Sequence, residues 1–287
     1  MNTNDSLDFN RIEYLLNPEQ FKDVHITIVG LGSGGAPVCD HLTMNGIKNW
    51  DLYDPDVLGG ENLVKHPRMR QDLNRPKVEI QKEWIIDRNP NAVVNAFTED
   101  IFQSPSFRES VQKSDLVLSC PDTKSAREFI SDVCVAEKTP FVTASVFRTG
   151  IGGEIYSYRP GETGCYKCLQ IYALRNNIDL SDHELGLTPD EREKIYGLSD
   201  INFRASGLSI DIQMISLIQA RMALSILLAK FNSVIPRLKG NWIIFGNRPA
   251  KGIFKNHFET KQMLLRPQSS CNCAVSPTQI GDENGTV

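Results

Sequence analysis

Apolar residues along this chain fall into short blocks, and the blocks alternate with stretches whose apolar positions recur at helical spacing. Ile26, Ile28 and Val29 form the first block and Trp50, Leu52 and Tyr53 the second. Residues 78–88 read as an amphipathic helix, opened by Pro76-Lys77 and closed by Asn89-Pro90. Residues 92–97, 115–120 and 141–146 read as further strands, with a helix at 125–137 before the last. Strand and helix in regular alternation predict a parallel sheet covered on both faces, a Rossmann-like, doubly wound α/β fold.

The flanking segments differ. Residues 8–21 read as a helix with Ile12, Leu15 and Leu16 on one side and Pro18 kinking it. After a strand at 151–159 and a turn at 160–164, residues 172–206 are polar and irregular. A long apolar helix at 208–231 precedes two strand-like runs within 241–258, WIIFG and GIFKNHF. These neighbours are expected to pair antiparallel and so to extend the parallel sheet. Residues 1–274 are expected to form a single domain, with a nucleotide-binding part at about 1–150 and a partner-binding part at about 151–274. Residues 275–287 read as a tail.

Composition narrows the classes. At 287 residues with 40% apolar content, the chain can bury a large core. A net charge of −4 with intermixed signs gives neither a basic stripe for nucleic acid nor a polybasic membrane patch. The polar start MNTNDSLDFN is not a secretory signal, and the apolar helix carries Asp211, Gln213, Gln219 and Arg221, so it reads as buried or interfacial. A cytoplasmic location is expected.

Candidate chemistry begins directly after the first strand. Gly30, Gly32 and Gly35 give Gly-x-Gly-x-x-Gly where a helix should begin. Gly30 suits the tight turn, Gly32 close approach to a phosphate, and Gly35 packing of the new helix on its strand. The exposed amides at that helix start supply partial positive charge to an anion. Asp54 ends the second strand, where a carboxylate can accept bonds from ribose hydroxyls.

Beyond Asp54 the order is Asp56, Asn62-Leu63, Lys65, then Pro76-Lys77 opening a helix, Asn89-Pro90, Asp122 in SCPDT, and GCYKCL at residues 164–169. This order resembles the ThiF/MoeB/ubiquitin-activating superfamily of adenylyltransferases over residues 8–275. The resemblance implies that the C-terminal carboxylate of a ubiquitin-like protein attacks the α-phosphate of ATP, giving an acyl-adenylate and pyrophosphate. It implies Lys77 and Lys65 on the phosphates, Asn62 positioning triphosphate or ribose, Asp54 and Asp56 at the nucleotide, and Asp122 on Mg2+. It also implies that Arg11, in DFNRIEYL, reaches a partner's phosphates across a homodimer interface that the long helix helps to form. Lys65-His66 departs from the family's Arg-Gln, and lysine lacks the bidentate fork of arginine. His66 itself reads as a surface imidazole. A carboxylate nucleophile is already ionised at neutral pH, so no general base is required.

Seven cysteines without a secretory signal point to a reducing compartment. Cys165 and Cys168, with Cys271 and Cys273, suit a closed tetrahedral Zn2+ shell of structural role, which would pin the C-terminal part; two unrelated cysteine pairs are the alternative. Cys39 and Cys134 read as core residues. Cys120 reads as a structural thiol, although it lies two residues before Asp122. No cysteine falls in 172–206, where thioester-forming relatives carry their nucleophile. That pattern implies transfer of the adenylate to a sulfur donor or a conjugating protein. Two other functions fit parts of the pattern: an NAD-dependent oxidoreductase, and a non-catalytic scaffold for a ubiquitin-like protein.

Overall fold

The computed structural model describes residues 7–176, 207–250 and 253–274. Eight strands form one sheet: β1 (His25–Val29), β2 (Asn49–Tyr53), β3 (Val93–Phe97), β4 (Leu116–Ser119), β5 (Phe141–Val146), β6 (Gly152–Tyr158), β7 (Trp242–Gly246) and β8 (Glu259–Met263). Their order is β3-β2-β1-β4-β5-β6-β7-β8. β1 to β5 pair in parallel, and β6, β7 and β8 add antiparallel ladders. The mixed sheet foreseen from the alternation is therefore present. The helices are α1 (Gly35–Met44), α2 (Lys77–Arg88), α3 (Phe107–Lys113), α4 (Lys124–Glu137), α5 (Tyr166–Arg175) and α6 (Ser209–Leu228).

Both faces of the parallel strands are covered, so β4 is buried along its whole length and β1 everywhere but at His25. One core layer joins β1, β2 and β5 to α1, α2 and α6 through residues such as Ile28, Leu42 and Leu227. The opposite layer places Val117 and Tyr53 under α3 and α4 and continues to Cys165, Cys168, Cys271 and Cys273. By length and composition α6 could cross a bilayer, yet Met222 to Leu228 are all buried in the protein.

One buried acid inside the sheet is heavily paired. Asp51 on β2 is fully buried and accepts bonds from Ser110 Oγ at 2.5 Å and Asn95 Nδ2 at 2.8 Å, with Lys113 Nζ at 3.2 Å and His25 Nε2 at 3.3 Å. Burial alone would raise its carboxyl, but the bonds from His25, Ser110 and Asn95 hold it well below the usual carboxylate range.

Three expectations require correction. Residues 10–15 form successive turns rather than a helix, and only Pro18–Phe21 make a short 3-10 helix, capped by Asn17 Oδ1 on the Glu19 amide at 3.1 Å. Asn17 and Pro18 together start a new element, so the earlier apolar residues cannot continue into it. The GIFKNHF run is not a strand: Phe254 packs over Gly246, and the last strand is the polar ETKQM of β8. His66 is buried, not on the surface. The polar segment read at 172–206 lies largely outside the described residues, and the tail at 275–287 lies wholly outside them.

Candidate active site

β1 sits between β2 and β4, so the chain leaves it in opposite directions across the sheet and opens a crevice at the strands' C-terminal ends. The glycine turn fills this point. Gly30 has φ +87°, and a Cβ there would meet Cys120 O at 2.6 Å and Pro121 N at 3.0 Å. The same contact puts the turn beside the segment that leads to the exposed Asp122. A Cβ on Gly35 would meet Gly30 O at 1.9 Å, so α1 can begin this close to its strand only with glycine. Gly32 differs, because open space lies where its Cβ would be. That opening, together with the N-terminus of α1, which has no side-chain cap, offers free amide donors to an anion.

Acid and lysine converge on the turn. Asp54 Oδ2 accepts the Leu31 amide at 2.6 Å and Oδ1 the Asp56 amide at 2.9 Å. Each oxygen keeps a second acceptor site. Lys77 opens α2, and its Nζ lies 2.7 Å from Asp56 Oδ2 and 3.7 Å from Asp54 Oδ1. Burial raises the Asp54 carboxyl above its ordinary value, while Lys77 and the two amides oppose that rise.

The segment between Asp56 and α2 closes over the turn. Asn62 Oδ1 accepts the Gly59 amide at 2.9 Å, which shapes a short 3-10 turn. The Lys65 carbonyl accepts from Ser209 Oγ at 3.4 Å, joining this segment to α6. His66 Nε2 meets the Leu31 carbonyl at 2.8 Å. Arg68 makes two bonds to Asp40 of α1, at 2.9 and 2.6 Å, and a third to Gln81 of α2 at 2.6 Å. Its guanidinium also lies 5.0 Å from the centre of the Trp84 ring.

The structure thus gathers Gly30, Gly32, Gly35, Asp54, Asp56 and Lys77 at one place, with Asn62, Lys65 and Asp122 on its borders. Arg11 is not brought there. It lines a shallow pocket with Met44 and Arg88, at the far end of α1 and so about 15 Å along that helix from its start. Asp40, Arg68 and Gln81 escaped the sequence reading, and His66 was read only as a surface imidazole. Asp40 was the available signal, since a carboxylate between Cys39 and Leu42 inside an apolar helix needs a partner.

At the other end of the sheet the four cysteine sulfurs all lie within 4.8 Å of one another and are buried. Cys165 Sγ is 3.4 Å from Cys271 Sγ, and Cys168 Sγ is 3.3 Å from Cys273 Sγ. Sulfurs at the corners of a zinc tetrahedron stand about 3.8 Å apart, so this donor set fits such an ion with small adjustments. The hydrogen bond from the Cys165 thiol, followed by that from the Gln268 amide, draws the Cys168 thiol below its ordinary value against the cost of burial. Cys39 and Cys134 are buried core residues. Cys120 faces Gln219 of α6, and burial pushes its thiol up to about 12, far from a reactive thiolate.

A glycine turn at the switch point of a parallel sheet, with a lysine and acids at its mouth, defines a Rossmann-like α/β protein. The ThiF family model matches residues 6–266, and the chain belongs to the ThiF family. It is 31% identical over 153 residues to the sulfur carrier protein ThiS adenylyltransferase of Escherichia coli, covering 53% of this chain and 60% of that one. It is also 31% identical over 156 residues to the molybdopterin-synthase adenylyltransferase of the same organism, again covering 53% and 60%. With ubiquitin-like modifier-activating enzyme 5 of Caenorhabditis briggsae it shares 29% over 171 residues, 56% of this chain and 40% of the relative. The match therefore spans about half of each of these relatives. Among solved structures, E. coli MccB superposes with a TM-score of 0.67 at 18% identity, covering 94% of this chain and 70% of that one. MccB with AMPCPP and MccA gives 0.64 at 17%, covering 88% and 67%. That likeness establishes the fold.

Proposed function

We propose that this protein adenylates the C-terminal carboxylate of a ubiquitin-like or sulfur-carrier protein with ATP and releases pyrophosphate. The observation that carries this reading is the meeting of Lys77 with Asp54, whose carboxylate grips the glycine turn through Leu31. A cation delivered to a glycine cradle from the start of another helix suits a triphosphate. The names of the relatives supply the class of acceptor.

In this reading the amides after Gly32 bind phosphate oxygens, and Asp54 orients the ribose. Asp56 and Asn62 border the nucleotide. Lys77 leaves Asp56 for the phosphates when ATP enters, and Lys65 adds a second positive charge. The acceptor's terminal carboxylate forms a bond to the α-phosphorus as the bond to the pyrophosphate oxygen breaks. No proton moves, because the carboxylate arrives ionised. Both reactants are negative, so the main work of the site is positional and electrostatic: it holds them together and offsets charge on the phosphoryl oxygens.

Asp122, exposed beside the turn, is the residue we assign to Mg2+, which supplies further charge neutralisation when bound. The four cysteines hold a structural Zn2+ that ties the last described residues to α5. Arg11, remote from its own turn, is assigned to the site of a second copy in a homodimer built on α6. Ile210 and Leu217, exposed along that helix, are consistent with such a seam. The adenylate would pass to a sulfur donor or conjugating protein in the cytosol.

ATP–pyrophosphate exchange tests the reading. Exchange that requires an added carrier with a free C-terminus supports it. A protein that binds carrier without exchange is a scaffold, and one that exchanges without a carrier uses a small acid or a peptide end.

A further inference from the structure

His66 is buried beneath the glycine turn, and its two ring nitrogens have different partners. Nδ1 lies 3.2 Å from the Arg68 amide and therefore accepts. An accepting nitrogen carries no proton, so Nε2 carries it and donates to the Leu31 carbonyl at 2.8 Å. The ring is neutral in this arrangement. Leu31 stands between Gly30 and Gly32, and its amide is held by Asp54 at 2.6 Å. The two peptide units that flank Leu31 are thus gripped, one at its donor and the next at its acceptor. Two residues beyond His66, Arg68 locks onto Asp40 of α1 and Gln81 of α2, so the same strap also fixes the helix that leaves the turn.

Protonation would undo the grip. A proton on Nδ1 faces the Arg68 N–H, setting donor against donor. The charged groups around the ring are Arg68 on its own strap, Asp40 from α1 and Lys77 from α2, with Asp54 across Leu31 and the neutral Ser209 of α6 at Lys65. Burial, followed by the positive charges of Arg68 and Lys77, lowers the imidazole below its ordinary 6.5, while the Leu31 carbonyl and Asp40 oppose that shift. A histidine depressed in this way favours the folded arrangement above 6.5 and loses that advantage as pH falls below it.

We propose that neutral His66 is a positioning residue which holds the phosphate-facing turn in shape, and that its protonation loosens the turn and weakens ATP binding. The link to ATP rests on the function proposed above, whereas the hold on the turn does not. His66→Gln separates the two properties: its side-chain amide can donate to Leu31 and accept from Arg68, but it has no proton to gain.

The experiment titrates the full chain with the non-hydrolysable analogue AMPCPP at about pH 7.5 and about pH 5.5. Hydrogen exchange of the peptide over residues 30–36 is followed under the same conditions. His66→Ala should bind about tenfold more weakly than the unaltered protein at the higher pH, the scale of one lost buried hydrogen bond, and should lose little more on acidification. The unaltered protein should lose about tenfold on acidification, and His66→Gln should lose far less. Exchange at 30–36 should quicken on acidification in the unaltered protein relative to His66→Gln at the same pH. Parallel acid losses in the unaltered protein and His66→Gln, or full affinity in His66→Ala, would overturn the proposal. If no variant binds AMPCPP at either pH, the nucleotide reading falls. The exchange comparison then still decides the hold on the turn: equal exchange overturns it, and acid-selective exchange upholds it. Should His66→Ala fail to fold, the comparison with His66→Gln stands by itself.

Discussion

Lys77 Nζ rests 2.7 Å from Asp56 Oδ2, and the Lys77 amide donates to the Asp56 carbonyl at 3.0 Å. Side chain and backbone of the lysine are therefore both set by a single residue. Asp56 is exposed, so this ion pair adds little to stability, about 0–1 kcal/mol. Its consequence is positional, since it stores the ammonium at the mouth of the glycine turn. Lys77→Ala should lower carrier-dependent exchange by about 100-fold or more while moving the melting temperature little, and Lys77→Arg should recover part of the rate. Equal rates in Lys77→Ala and the parent would remove the lysine from the reaction. Calorimetry alongside the exchange assay distinguishes the two effects.

The Arg68–Asp40 pair is different in kind, because both partners are buried. Arg68→Ala leaves a carboxylate without its cation and should cost about 3–5 kcal/mol in urea unfolding. Arg68→Lys should recover little, since an ammonium cannot reproduce two bonds to Asp40 with a third to Gln81. A loss below about 1 kcal/mol for Arg68→Ala would show that the strap is not held by this pair.

Metal content tests the cysteine cluster. Purified protein should carry one zinc per chain by atomic emission, and a strong chelator should lower its melting temperature. Cys271→Ser should lose the metal and the stability together while AMPCPP binding persists, because the glycine turn lies at the other part of the sheet. Zinc retained in both Cys271→Ser and Cys273→Ser would count against a four-cysteine shell.

A homodimer with Arg11 acting across its interface has a distinctive genetic signature. Arg11→Ala and Lys77→Ala should each be inactive alone. Mixed and allowed to exchange subunits, they should regain about a quarter of the parent rate, because each hybrid dimer has one intact site. No recovery despite proven subunit exchange would place Arg11 outside the reaction.

Much of the fold could be read from the chain, but unevenly. The parallel core was legible because a strand buried on both faces must be largely apolar, as Ile26, Ile28 and Val29 are. Gly30 and Gly35 were legible because each occupies a position few other residues tolerate, and the four cysteines because two closely spaced pairs suggest one cluster. GIFKNHF misled because its apolar residues suit a strand, yet Phe254 is used to cover Gly246, while the solvent-exposed edge strand is polar, with Glu259 and Lys261. Residues 10–15 misled because helical spacing alone does not show that a helix lacks the length to sustain itself ahead of Asn17-Pro18. The Arg68–Asp40–Gln81 group, and with it the burial of His66, was out of reach for another reason. Asp40 and Arg68 are 28 positions apart with no periodicity to link them, and only the closure of the strap over α1 brings them together.

Adenylation of a carrier stands or falls on which atom attacks the nucleotide. Its sharpest test uses a carrier protein whose terminal carboxylate bears heavy oxygen, incubated with ATP, the enzyme and a sulfur nucleophile that cleaves the product. Attack of the carboxylate on the α-phosphorus leaves its oxygen bridging the two, so the AMP released should carry one heavy atom, and none should appear in pyrophosphate. AMP free of label would contradict the account, since it would mean that water rather than the carboxylate had opened ATP.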